Sequence, residues 1–504
     1  MGNYANFSNF DFSGGMDNAI GSLVSPDNEC RLIVNGELEQ IGPIHKIRGY
    51  EKRGEIVNNG YEILGSMAGV KSDGTIKQIV IADGETSADA YTFNPINGQW
   101  TPHGLSLSTG ARAEFEYFLD GFFMVNFEDA TRWNNYIQWF TTTNVTNAPK
   151  AKYIKQYLSR IYLAYVSYDG NTYPSRVVYS NLPDDSTNPM TISWNNSENY
   201  FDVDSDDADV IRGLDVNANR LLIFKEKSLH RYDTNTRYRV PGAPGTTSNR
   251  SIVTMLGYTI YLNKDGLWIY DGTTSRKISR KIDYIIKGMS TKNIYSACAW
   301  QKGDKYFLYA GDIDNEEDDI KIEKCLIEYD VPKNAFTVRS IPIEITTFHT
   351  LRDDRSSFTY NDATVTYNDA NVTYNGLLSA EDRIYCGTKD GKVYHFDYGN
   401  SFDGADIPFI VETKDYYLNY PAIYKLFQKV FIFVSSKKAV TVQFKIDDGR
   451  WKTLGRVTSK NSELVFPSGC RGKKIRFRLL ESGSGERFSF DGFDIYFTLQ
   501  TLLK

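Results

Sequence analysis

Proton transfer near neutral pH calls first for histidine, and this 504-residue chain has five: His45, His103, His230, His349 and His395. They are widely scattered, and no spacing ties any of them to a nucleophile. The chain carries no G-x-S-x-G, no H-E-x-x-H, no P-loop and no G-x-G-x-x-G, so no motif points to acyl transfer, zinc proteolysis or nucleotide binding. The cysteines Cys30, Cys298, Cys325, Cys386 and Cys470 form no C-x-x-C, which removes zinc ribbons and thioredoxin-like redox pairs. An odd, dispersed set reads as reduced, mostly buried thiols and as assembly in a cytoplasm. No cofactor is expected.

Two acidic runs invite a metal. In the first, Asp202, Asp204, Asp206, Asp207 and Asp209 superficially resemble a calcium loop. Counted from Asp202, however, the glycine position of an EF-hand holds Asp207, and the closing glutamate position holds Gly213. The expectation is a solvated acidic loop, and the same holds for 312–319. A basic stretch, Arg471-Gly472-Lys473-Lys474 with Arg476 and Arg478, alternates with Ile475, Phe477 and Leu479 and reads as the solvated face of a strand. Lys plus Arg total 57 against 63 Asp plus Glu, a net charge of −6, so the overall balance shows no footprint for gripping phosphates.

The elements that would position such residues are strands. Aromatics make up 14 % of the chain, with 35 Tyr and 29 Phe, a share suited to pleated, half-buried surfaces. From about residue 46 to 400, short apolar strands alternate with turns in units roughly 40 to 55 residues apart. Clear copies are Ile79-Val80-Ile81-Ala82-Asp83-Gly84, Val166-Ser167-Tyr168-Asp169-Gly170 and Leu221-Leu222-Ile223-Phe224. Others are Ile260-Tyr261-Leu262 running through Asp265-Gly266 to Trp268-Ile269-Tyr270, and Ile384-Tyr385-Cys386 running through Asp390-Gly391 to Val393-Tyr394. Strand-only repeats of this length mean propeller blades, because one blade cannot bury both of its faces.

The expectation is an all-β chain in three parts. An extended N-terminal arm covers 1–45, a β-propeller of about seven blades (six to eight) covers 46–405, and a C-terminal β-sandwich covers 406–504. An array of separate sandwiches is the alternative to the propeller. The arm, with Phe7, Phe10 and Phe12, is expected to dock on something else. The longest apolar runs, such as Val430-Phe431-Ile432-Phe433-Val434, fall far short of a membrane span, and the first residues read as no signal peptide.

Between blades stands a period-seven repeat: Thr359-Tyr360-Asn361-Asp362, Thr366-Tyr367-Asn368-Asp369 and Thr373-Tyr374-Asn375-Gly376. Its turn-forming pairs predict stacked turns with Tyr360, Tyr367 and Tyr374 on one side, a candidate contact patch. Sialidase-type propellers carry a turn S-x-D-x-G-x-x-W. Here Ser167-Tyr168-Asp169-Gly170 places its glycine one position early and has no following Trp, which lowers a glycosidase reading.

The N-terminal third carries the blocks Phe12-Ser13-Gly14-Gly15-Met16-Asp17, Ser25-Pro26-Asp27-Asn28-Glu29, Gly36-Glu37-Leu38 and Arg48-Gly49-Tyr50. Further on come Gly213-Leu214 with 220–228, then 250–253 leading into 265–272, and Asp390-Gly391-Lys392-Val393-Tyr394. Together these blocks resemble the tail nozzle, tail tubular B or stabilisation-protein family of short-tailed bacteriophages. The Tyr-Asn-Asp triplets resemble the Trp-Asp-Asp repeats of related phage proteins. The resemblance implies a non-enzymatic virion protein of the tail, assembled in the bacterial host cytoplasm. It implies a ring, commonly a homo-hexamer, below the portal and adaptor, in contact with portal-proximal tail proteins and with tail fibres or spikes. Genomic DNA would pass through the ring without specific binding, which a net negative chain suits. The alternative is a receptor-binding or glycan-degrading propeller tail protein.

Overall fold

A computed structural model describes residues 4–38, 42–71, 76–95, 97–134, 147–184, 192–234, 236–315, 320–352, 382–436, 438–458, 462–483 and 488–500. The chain is all-β, with blades in a six-bladed propeller arrangement and a C-terminal sandwich-like sheet pair. Its contacts divide it into two compact units: residues 52–240 with 344–396, and residues 1–51 with 241–343 and 397–504.

The first unit holds five antiparallel meanders. One comprises Ile63–Val70, Ile76–Ala82, Asp89–Asn94 and Gln99–Pro102, and a three-stranded one comprises Glu114–Phe118, Gly121–Val125 and Arg132–Asn134. A third comprises Lys150–Tyr157, Arg160–Tyr168, Asn171–Tyr179 and Tyr200–Asp202. The fourth comprises Ile211–Asn217, Arg220–Lys225, Leu229–Asp233 and Thr236–Arg239. The last comprises Ile345–Arg352, Asp382–Thr388 and Val393–Phe396. Residues 53–57 run along it, with Arg53 N–H donating to the Val393 carbonyl at 2.7 Å and Val57 N–H to that of Gly391 at 2.8 Å.

Continuous apolar runs explain the stacking. Side chains alternate faces along a strand. Ile79 and Ile81 therefore pack with Phe122 and Met124 of the next meander, while Val80 and Ala82 pack with Tyr385 and Val393 of the last. Phe123 and Val125 turn the other way and join Ile161 and Leu163. Tyr162 and Ala164 in turn join Leu221 and Ile223. Each central strand thus serves two cores. Hairpins close where the sequence permits positive φ: Asp169 at 50° and Gly170 at 75° form the two-residue turn pairing Tyr168 with Asn171. At Asp265-Gly266 the turn instead centres on Lys264 and Asp265, since Asn263 pairs with Gly266.

The second unit contains one free-standing blade: Val253–Met255, Tyr258–Asn263, Gly266–Tyr270 and Ser275–Lys277. With the five above it makes six. The meander that raises the sequence count to seven is Cys298–Lys302, Lys305–Asn315, Ile320–Asp330 and Ala335–Ser340. It continues through Glu29–Val34, Ile407–Thr413, Ile475–Gly483, Val440–Ile446 and Lys452–Val457 into a ten-stranded sheet. The opposing seven-stranded sheet is built on Tyr424–Ser435 and Ser489–Gln500. Phe477 meets Phe493 at 5.1 Å between ring centroids, and Phe409 meets Phe488 at 4.6 Å, within the shared core.

Segment 1–45, expected as an arm docked on something else, is woven into its own chain. Tyr4–Asn9 pairs along Ser489–Gln500, and Glu29–Val34 lies between Ala335–Ser340 and Ile407–Thr413 inside the ten-stranded sheet. Phe12 is fully buried, 4.9 Å from the Phe490 ring. Its polar, turn-rich composition hid this, because the short strands are spaced by the turns needed to thread two sheets. The boundary expected at 405/406 also differs, since 241–343 packs with the two chain ends. Gly49, in one of the resemblance blocks, lies so close to the Ser401 carbonyl that an added Cβ would stand 1.8 Å from it.

Charges tie this unit internally. Arg339, 1 % exposed, donates to Glu328 at 2.7 Å and to Asp397 at 2.8 Å. Glu328 also meets Lys305 at 2.8 Å, which reaches Glu37 at 2.6 Å, while Lys302 pairs with Asp397. Burial alone would raise the Asp397 pKa, but Arg339 and Lys302 hold it well below the usual carboxylate range.

Deleting residues 1–45 removes strands from both sheets and uncovers Phe409 and Phe490. The truncated chain is expected to lose cooperative unfolding of this unit and to be cleaved rapidly within 400–500 in limited proteolysis. A protease-resistant truncated chain would refute the interweaving.

Candidate functional site

The acidic run and a histidine converge in the first unit. Asp202 accepts from Arg176 at 2.7 and 2.8 Å, and that guanidinium lies between the rings of Tyr173 (4.1 Å) and Tyr200 (3.9 Å). Lys225, fully buried, donates to the carbonyls of Val203 at 3.0 Å and Asp204 at 2.8 Å and to the Asp207 carboxylate at 2.5 Å. An ammonium thus sits where converging oxygens would hold a divalent cation. Asp209 caps the neighbouring turn, accepting from the N–H groups of Val210, Glu226 and Lys227 at 2.9 to 3.0 Å. Asp206 is exposed. Among the described residues no group of three or more His, Cys, Asp or Glu is arranged to hold a metal.

Ser228, His230 and Asp204 look at first like a relay. Ser228 Oγ is 3.0 Å from His230 Nε2, and Asp204 Oδ2 is 3.8 Å from that same nitrogen. A relay needs the serine and the carboxylate on opposite ring nitrogens. Both Ser228 and His230 are also buried, and burial pushes the His230 pKa down. The cluster fastens the turn after Arg220–Lys225 to the acidic loop.

The second unit carries a groove of about 310 Å³ on the outer face of the ten-stranded sheet. Register builds it: Leu32 stands opposite Glu412, Glu412 opposite Arg478, and Lys445 opposite Arg476. Alternation sends Phe409, Val411, Phe477 and Leu479 into the core and leaves Ile410, Glu412, Arg476 and Arg478 on the outer face. The register shifts between Cys30 and Leu32, a bulge that lets Arg31 join that face. Five cationic side chains (Arg31, Lys321, Lys445, Arg476, Arg478) line the groove against the single carboxylate of Glu412.

Glu412 is buried and shows what the groove grips. Arg476 reaches its Oε1 at 2.8 Å, Arg478 its Oε2 at 2.8 and 3.2 Å, and Arg31 approaches to 3.7 Å. Arg476 also forks onto Asp415 at 2.9 and 2.8 Å, with Lys474 at 3.3 Å. Burial alone would raise the Asp415 pKa. Hydrogen bonds and charge from Arg476, with the charge of Lys474, outweigh it and hold Asp415 below the ordinary carboxylate range. The Arg478 guanidinium lies 4.0 Å from the Trp451 ring centroid. The arrangement can bind a carboxylate or another fork-accepting anion beside an apolar floor.

The sequence reading took Arg476 and Arg478 for a solvated face. Their strand was legible, but Glu412, Arg31 and Lys445 come from other strands, and only pairing gathers them. Of the expected contact aromatics, Phe12 is buried and Phe7 packs on Tyr416 and Phe493 at 5.5 and 6.3 Å. Phe10 lies edge-on to Phe433 at 5.1 Å and stays 46 % exposed. Tyr360, Tyr367 and Tyr374 lie outside the described residues. All five cysteines are buried and unbridged.

No family model matches the chain, and no curated protein sequence matches it. Among solved structures, it is similar to the extracellular domain of a putative hybrid two-component system from B. thetaiotaomicron, with TM-score 0.44 and 11 % identity over 92 % of this chain and 61 % of that one. It is also similar to PorZ, a surface component of the type-IX secretion system of Porphyromonas gingivalis, with TM-score 0.35 and 9 % identity over 79 % and 46 %. The chain therefore spans less than two thirds of each, and these scores carry no functional argument.

Two outcomes follow from the charges. Lys225→Met strips the buried carbonyls and Asp207 of their cation and is expected to cost about 3 kcal/mol in urea unfolding; a loss near zero would refute the ammonium's role. Asp415 has a lowered folded-state pKa. Its contribution is therefore full above the ordinary value near ~3.9 and is lost as pH falls through the lower folded value. Asp415→Asn should flatten that acid limb of the stability–pH curve, and an unchanged limb would count against the assignment.

Proposed function

We propose that the chain is a structural, non-enzymatic tail nozzle subunit of a short-tailed phage, forming a ring that extends the DNA-exit channel below the portal and adaptor. The resemblance blocks motivate the reading. The observation that carries it is apolar surface left open near the N-terminus: within one loop, Leu23 is 64 % and Val24 77 % exposed, beside exposed Ile20. Clustered large aliphatics on a water-facing loop favour burial against another subunit. A ring requires such a patch to meet a different surface on the next copy. The net charge of −6 suits a conduit that DNA passes without sticking.

A second reading, a receptor-binding or glycan-degrading propeller tail protein, draws on a polar cleft lined by Tyr168, Asp169, Trp194, Asn195 and Asn196. Aromatic faces beside amides suit sugars. Incubation with host surface polysaccharide separates the two readings, since release of reducing ends belongs only to the second.

Native mass spectrometry of the full chain, and cryo-electron microscopy of the virion, test the nozzle reading directly. The expected result is a closed homo-oligomer at the tail axis, commonly six-fold. Leu23→Glu with Val24→Glu should shift the protein to monomer while its circular dichroism stays native. A wild-type chain found only as monomer, or only on peripheral fibres, would overturn the reading.

A further inference from the structure

We propose that the basic groove of the second unit is a docking site for an extended acidic peptide segment of a partner protein. Its carboxylates would meet the cationic rim while its aliphatic side chains cover the apolar floor. The inference goes beyond the nozzle reading and does not depend on it, because binding is read on the purified chain whether or not it forms a ring.

The groove already holds one carboxylate, and that internal example defines its chemistry. Glu412 takes hydrogen bonds from two arginines, Arg476 on Oε1 and Arg478 on Oε2, both at 2.8 Å, so each carboxylate oxygen is matched by its own guanidinium. Arg478 is held in place from a second side by Trp451 at 4.0 Å, so its orientation is set before any ligand arrives. Arg476 is shared between Glu412 and Asp415 and Arg478 is held by Glu412, whereas the lysines of the groove are less fully matched. Lys445 has no acidic partner among the described residues. Lys321 is only loosely countered, by Asp314 at 3.7 Å. A local excess of positive charge in a chain of net charge −6 runs against the overall balance and calls for an anionic partner.

The floor decides which anion. The half-buried Leu32 and Ile410 give the groove its accessible apolar floor, with the buried Val34 and Ile322 beside them. Inorganic phosphate uses none of that surface, and a nucleic-acid backbone presents hydroxylated or ether-linked sugars to it rather than branched aliphatic side chains. An extended peptide with neighbouring acidic and aliphatic side chains satisfies both parts. At about 310 Å³ the groove takes a few side chains, the scale of a short linear segment.

The test uses the full chain and a short fluorescein-labelled peptide of alternating glutamate and leucine, followed by fluorescence polarisation. The same peptide with glutamine for glutamate, oligothymidine and inorganic phosphate serve as comparisons. Saturable binding of the glutamate peptide is expected, at least tenfold tighter than the glutamine peptide. Lys445→Glu should weaken it roughly tenfold, while Lys445→Arg retains it. If Lys445→Glu fails to fold by circular dichroism, Lys445→Gln gives the same reading through loss of charge alone. Equal binding of the two peptides, no binding, insensitivity to the Lys445 charge, or tighter binding of oligothymidine or phosphate would each overturn the proposal.

Discussion

A strand with apolar side chains on both faces cannot be satisfied by a single sheet, and most of this chain follows from that constraint. Ile79 and Ile81 need one neighbour while Val80 and Ala82 need another. The same division recurs at 122–125 and at 161–164. Meanders must therefore stack, and the series ends only when the last sheet finds partners from elsewhere in the chain. Residues 53–57 supply that attachment, at 391 and 393. The sandwich obeys the same rule with two sheets, and it recruits the N-terminal strands to finish both.

Charge is distributed by a second constraint: a buried cation must be surrounded by oxygens. Lys225, Arg339 and Arg476 each meet this condition, and each joins segments remote in sequence. Lys225 fastens a blade turn to the acidic loop, and Arg339 joins two adjacent strands to residue 397. Arg476 links a central sandwich strand to Glu412 and Asp415. The groove differs in that its cations outnumber its carboxylate.

Residues that look reactive by type serve these internal needs. The Ser228–His230 pair is buried and shares one ring nitrogen with Asp204, and the acidic run encloses a lysine. What the molecule leaves open is of another kind, an exposed aliphatic loop and a basic, apolar-floored groove. These are the surfaces that the proposed ring contact and the proposed peptide docking would use.

Everything governed by local periodicity was legible in the sequence. The strands of the blades, the Asp169-Gly170 turn, the buried cysteines and the sandwich strands at 430–434 and 440–446 follow from alternation and turn chemistry, which act over a few residues. Pairing between distant strands was not legible. Nothing near Phe12 says that its ring will meet Phe490, and nothing near Arg478 names Glu412 as its partner. The seventh meander looked like any other blade until its edge strand met Glu29–Val34. Hydrogen bonding along a strand edge is nearly indifferent to side-chain identity. Which edges meet is therefore decided by the packing of whole faces, and only the tertiary structure expresses that.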